Sequence, residues 1–156
     1  MPNRKPIAVE DVPANSGCGY PASFHSRLGA ANWRELGDHF GLTQFGVSHE
    51  TLAPGAQSSV RHWHTLSDEF VLVTEGQLVM RTDDGEFVLE PGTCIGFKAG
   101  ERNGHHLVNR TGAPAKFIVV GSRVPGDTAF YPDDDLAIFN TDAGSVWVHK
   151  DGRRYC

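Results

Sequence analysis

Residues 62–76 read HWHTLSDEFVLVTEG, and this run decides the fold. His62 and His64 stand two apart, the repeat of an extended strand. Both imidazoles therefore project from one face, with Cα atoms about 6.5–7 Å apart. Thr65-Leu66-Ser67-Asp68 is too short to hold a crossover helix, so the chain must turn back on itself. Glu69 then opens a second strand beside the two histidines, with Phe-Val-Leu-Val at its centre, and Glu75-Gly76 ends it in a turn. Two imidazoles at this spacing can converge on one ion at roughly 2.0–2.1 Å, with the Glu69 carboxylate as third ligand.

The same grammar extends in both directions. From Leu42, the polar set Gln44, Gly46, Ser48 and Glu50 alternates with Phe45, Val47 and His49 until Pro54-Gly55 breaks the run. Strands are predicted over 57–64, 69–74, 77–82, 86–89, 93–97, 105–109 and 116–121. Asp83-Asp84-Gly85 is a hairpin signal, and Pro91-Gly92 and Thr111-Gly112-Ala113-Pro114 are further turns. No helical period of useful length interrupts residues 42–122, which argues for an all-β sandwich or barrel.

The flanks read differently. Residues 1 to about 30 are rich in Pro, Gly, Ser and Ala and predict an arm or loop. Asn32-Trp33-Arg34-Glu35 has the spacing of a capping box, which predicts a helical turn through Leu36, limited by Gly37. Near the other end, residues 131–136 predict a loop and residues 145–149 a final strand.

Composition narrows the function. The 156 residues suit one domain with one core. A formal net charge of -5 without a basic stripe argues against nucleic acid and against an anionic membrane surface. Three widely spaced cysteines form no disulfide framework, and the start carries no apolar leader, so a cytoplasmic protein is expected.

The motif Gly55…His62-Trp63-His64…Glu69…Gly76, with four residues between His64 and Glu69 and six between Glu69 and Gly76, resembles the first cupin motif. Gly92…Gly100…His105-His106-Leu107-Val108-Asn109 is similar to the second, in which a His and an Asn are separated by three residues. Lys98 stands where that family usually has Pro, and the loop from Gly100 to His105 is two residues longer than the common pattern. Strand alternation turns one of His105 and His106 inward without saying which. The spacing to Asn109 favours His105 as fourth ligand, with His106 the alternate. GLTQFGV, NGHHLVNRTGAPAKFIVVGSR and YPDDDL further resemble a subgroup of bacterial one-domain cupins, some labelled sugar-phosphate isomerases.

That resemblance implies a double-stranded β-helix, a jelly-roll-like barrel: an arm over about 1–37, a barrel core over about 38–123 and a C-terminal extension over about 124–156. It also implies a homodimer. A site of His62, His64, Glu69 and His105 suits one divalent ion, Zn, Mn, Fe or Ni. Three functions use such a site: a metal-dependent isomerase or lyase acting on a sugar or sugar phosphate, an iron-dependent dioxygenase, and a non-catalytic module that binds a small ligand. Cys94, in an apolar run, is expected to be buried. Asp133-Asp134-Asp135 reads as a solvated loop.

Overall fold

The turn-punctuated run folds as antiparallel strands. The computed structural model describes residues 4–156. Its strands are β1 (Asn15–Ser16), β2 (Ala31–Glu35), β3 (Phe45–Leu52), β4 (Trp63–His64), β5 (Glu69–Glu75), β6 (Leu78–Thr82), β7 (Gly85–Leu89), β8 (Cys94–Phe97), β9 (His106–Val108), β10 (Ala115–Ser122), β11 (Thr128–Phe130), β12 (Ala137–Thr141) and β13 (Gly144–Val148).

Among the described residues, three sheets form, in the orders β1-β2-β3-β10-β5-β8, β13-β12-β11-β4 and β7-β6-β9. β3 and β10 pair along their whole length, from Phe45 opposite Ser122 to Leu52 opposite Ala115. The result is a jelly-roll β-barrel. Leu52, Val71, Val73, Leu78, Met80, Leu107 and Phe117 are buried between the six-stranded and three-stranded sheets. At about 1.5–3 kcal/mol for each large side chain, this interior is the main source of the barrel's cohesion.

A second apolar cluster lies outside the barrel. Phe24 and Leu28 from the arm meet Val60, Ala129, Tyr131 and Leu136, with Tyr20 and Trp147 against them. The arm and the C-terminal segment thus fold together beside the stretch that carries His62.

Several local expectations give way to pairing. Residues 32–35 lie in β2, in register with β3 from Ala31 opposite Leu52 to Glu35 opposite Ser48. The helical turn comes later, at Leu36–His39. An open strand edge supplies more backbone hydrogen bonds than a cap can, so tertiary pairing overrides the local signal. The strand predicted over 57–64 is regular only at Trp63–His64, the rest being held by isolated bridges from Gln57 to Val108 and from His62 to His105. β11 and β12 escape the sequence reading. Cys94 is exposed rather than buried, because its side chain falls on the outer face of β8 while Phe97 takes the inner one. No helix among the described residues is long and apolar enough to cross a membrane.

Candidate metal centre

The histidine pair is positioned by backbone. His62 and His105 exchange both hydrogen bonds of an antiparallel bridge, at 3.2 and 2.9 Å, so their side chains leave the same face side by side. Their rings lie 5.3 Å apart, and the His64 ring is 5.0 Å from that of His62. Phe97, paired with Glu69 across β5 and β8, stacks on His105 at 3.5 Å and 5° and limits its rotation. Glu69 enters at the start of β5, on the same inward face as Val71 and Val73.

One ligand atom each from His62, Glu69 and His105 falls within 4.8 Å of the others. His64 stands outside that mutually close trio, but its Nε2 is 3.4 Å from Glu69 Oε2. His105 Nε2 is 3.0 Å from the other carboxylate oxygen, Oε1. His106 is not in the group. It sits on the opposite face of β9, across from Arg81, with Nδ1 donating to the Ser59 carbonyl at 2.8 Å. Asp68, the neighbouring carboxylate, instead accepts from the Ala99 amide at 2.8 Å.

The hydrogen bonds on the far side of each ring decide what faces Glu69. His62 Nδ1 contacts the Val60 carbonyl at 2.8 Å and His105 Nδ1 the Asn103 carbonyl at 3.1 Å. Carbonyls only accept, so both Nδ1 atoms carry the proton. His64 Nδ1 is 2.7 Å from the Asp127 carboxylate and likewise donates. Three Nε2 lone pairs are therefore left to converge with a carboxylate, a donor set that repels itself until a cation or added protons sit among the four groups. Burial pushes His62 down to about 4, so it stays neutral at ordinary pH. Burial also opposes the charged forms of His64 and Glu69, but their mutual contact reverses it. Hydrogen bonding to Glu69 and Asp127 raises His64, and bonds from His105 and His64 hold Glu69 well below the usual carboxylate range. Nitrogen and oxygen ligands with outer partners already in place suit a first-row divalent ion.

Two residues absent from the sequence-derived set matter here. Asp127 is 4% exposed. It orients His64 and also accepts from the Leu66 amide at 2.9 Å. It lies 63 residues from His64, and no local pattern marks it. Glu50 is the other. Together with His62, Glu69 and His105 it lines a cavity of about 120 Å³ whose remaining wall includes Val71, Met80 and Phe117. Ser48 Oγ donates to Glu50 Oε1 at 3.0 Å. Burial pushes the Glu50 carboxyl up to about 7, the Ser48 bond offsetting only part of it. The alternation through β3 was the available signal, since it places Ser48 and Glu50 on one face. Only pairing with Phe117 and Val119 shows that this face is the inner one.

Comparisons with known proteins agree with this architecture. The family described as "Cupin domain" matches residues 48–121. A solved structure from Silicibacter pomeroyi, described as a sugar phosphate isomerase from a cupin superfamily, is 43% identical over 97% of both chains, with a TM-score of 0.93. The tetracenomycin polyketide synthase protein TcmJ of Streptomyces glaucescens is 35% identical over 78 residues, and the chain spans about half the length of that curated relative. The polyketide cyclase RemF of Streptomyces resistomycificus, 22% identical over 77% of this chain and 80% of its own, with a TM-score of 0.60, shares the fold.

Proposed function

Because this chain belongs to the cupin superfamily, we propose that it is a metal-dependent enzyme that moves a proton on a small hydroxylated substrate, in an isomerase-type reaction. His62, His64, Glu69 and His105 are the residues that would hold the ion. A bound divalent ion supplies a Lewis acid that makes a carbon next to a carbonyl easier to deprotonate.

Glu50 carries the reading. It is a second carboxylate in the cavity of His62, Glu69 and His105, it is not part of the donor set, and it titrates near neutrality. A base with that value can take a proton from one carbon and return it to the next without leaving its own working range. Ser48 holds the carboxylate on the inner face of β3. A binding module would need the donor set but no such group. The isomerase name of the Silicibacter pomeroyi structure points the same way.

The test is solvent-proton exchange in D₂O, followed by NMR on free and phosphorylated aldoses and ketoses, with metal content measured in parallel. Wild type is expected to incorporate deuterium at the carbon next to the carbonyl. Glu50→Gln is expected to lose on the order of 10²-fold or more in exchange rate at unchanged metal content. Exchange that survives Glu50→Gln would remove Glu50 from the reaction. Iron in the protein together with oxygen consumption would favour the dioxygenase instead.

A further inference from the structure

Glu50 and Ser58 border two spaces at once. One is the 120 Å³ cavity of the candidate metal centre, and the other is a compartment of about 220 Å³ beneath the N-terminal arm. Cys18 and Tyr20 of the arm line that compartment together with Trp33, Glu35 and Gln57. The inner cavity alone falls short of the roughly 300 Å³ at which small-molecule sites begin. A substrate held by the donor set and within reach of Glu50 is therefore directed past Glu50, toward the arm.

The charges along this path are one-sided. Among the described residues, no lysine or arginine lines either space, whereas Glu35, Glu50 and Glu69 do. On the other side of the donor set, a groove of about 490 Å³ presents Asp68, Asp127 and Asp142 with Arg123. Arg123 is already engaged, donating to Asp38 at 2.6 Å and to the Leu42 carbonyl at 3.3 Å. A phosphate dianion would meet carboxylates here and find no free guanidinium or ammonium to pair with. Indole and phenol faces beside carboxylate and amide acceptors suit a neutral ring bearing hydroxyls, which offers apolar C–H faces and hydrogen-bond donors together.

We infer that the compartment between Cys18, Trp33 and Gln57 holds the non-reacting part of the substrate, and that this substrate is an uncharged polyhydroxylated molecule rather than a phosphate ester. The inference rests on the isomerase reading for which atoms react, but the compartment can be tested independently of turnover.

The experiment uses the full chain, reconstituted with metal, carrying C94S and C156S so that Cys18 is the single thiol. N-ethylmaleimide labelling of Cys18 is timed with D-fructose or D-xylulose and with their phosphate monoesters, while deuterium exchange is read on the same samples. The free ketose is expected to slow labelling about ten-fold at saturation and the phosphate ester to leave it unchanged. Trp33→Ala is expected to abolish that protection at unchanged metal content. Protection by the phosphate ester equal to or stronger than that by the free sugar overturns the substrate class. Exchange without protection overturns the compartment and leaves the isomerase reading standing. Protection without exchange does the reverse, and neither effect overturns both.

Discussion

Glu50 is a carboxylate on the inner wall of the barrel, between Ser48 and the buried Leu52 on one face of β3. Its position has a cost that depends on pH. Burial raises the carboxyl from 4.5 to about 7, so the folded state binds the proton more tightly than the unfolded chain. The penalty is absent below about pH 4.5, grows as pH rises to about 7 and is fully present above it. Glu50→Gln in metal-free protein is therefore expected to be more stable than wild type at pH 8, by about 2–3 kcal/mol, with a much smaller gain at pH 5. Thermal melts of both proteins at the two pH values check this. An equal gain at both would show that Glu50 is not held neutral. Asp127 illustrates the opposite use of a buried carboxylate, ionised and donating nothing, with its charge directed at His64 Nδ1 and the Leu66 amide.

The elements around the centre are locked by polar contacts that the strand pattern alone does not reveal. Asn109, fully buried just after β9, donates to the Leu52 and Ala113 carbonyls and accepts from the Thr111 amide and hydroxyl. It thereby fixes the strand that carries the second motif to the end of β3. Arg61 ties Asp133, Asp83 and the Gly104 carbonyl together just before His105. Asp134 and Asp135 pair with Arg27 and His149, so the three-aspartate loop is a set of clamps rather than a solvated tip. Trp63, on the outer face, packs on Phe130 at 5.2 Å with Arg102 over its ring. Gly76 closes β5 at φ 73°, and a Cβ there would lie 2.9 Å from the Pro114 carbonyl oxygen and 3.0 Å from Ala115 Cα. Backbone cannot yield as a flexible side chain does. Gly76→Ala is expected to lower stability by about 1–3 kcal/mol in chemical denaturation. A loss of a few tenths would mean that the β5–β6 turn relaxes freely.

At the scale of the whole molecule, the arm and the C-terminal segment cover the side of the barrel near His62, and the six-stranded sheet is left with an apolar outer face. Phe70 and Phe45 are each 41% exposed there. Val120 is paired with Phe70 and Ile118 with Leu72, extending the patch across β5 and β10. Apolar pairs of this kind stabilise a sheet only when something covers them. A second copy of the chain is the proposed cover, in line with the homodimer that the resemblance implies. Light scattering after size exclusion is expected to give a dimer mass for wild type and a monomer mass for Phe70→Glu. A wild-type monomer at tens of micromolar would remove the homodimer.

The barrel and most of the donor set were legible in the amino-acid order because both are written at short range. Strand periodicity, paired turn residues and the HxH-to-Glu69 spacing all act within a few residues. The orientation of His105 against His106 needed the bridge to His62. The role of Asp127 needed a contact across 63 residues. Whether Glu50 faced inward or outward depended on the register of β3 against β10, which sets Glu50 opposite the buried Phe117, a choice that a period of two leaves open. The compartment under the arm depended on β2 adding to the edge of β3, where pairing overrode a local helix signal. Local spacing determined which residues could bind an ion. The packing of distant segments decided which second carboxylate stands beside those residues, and on which side of them the cavity meets the arm.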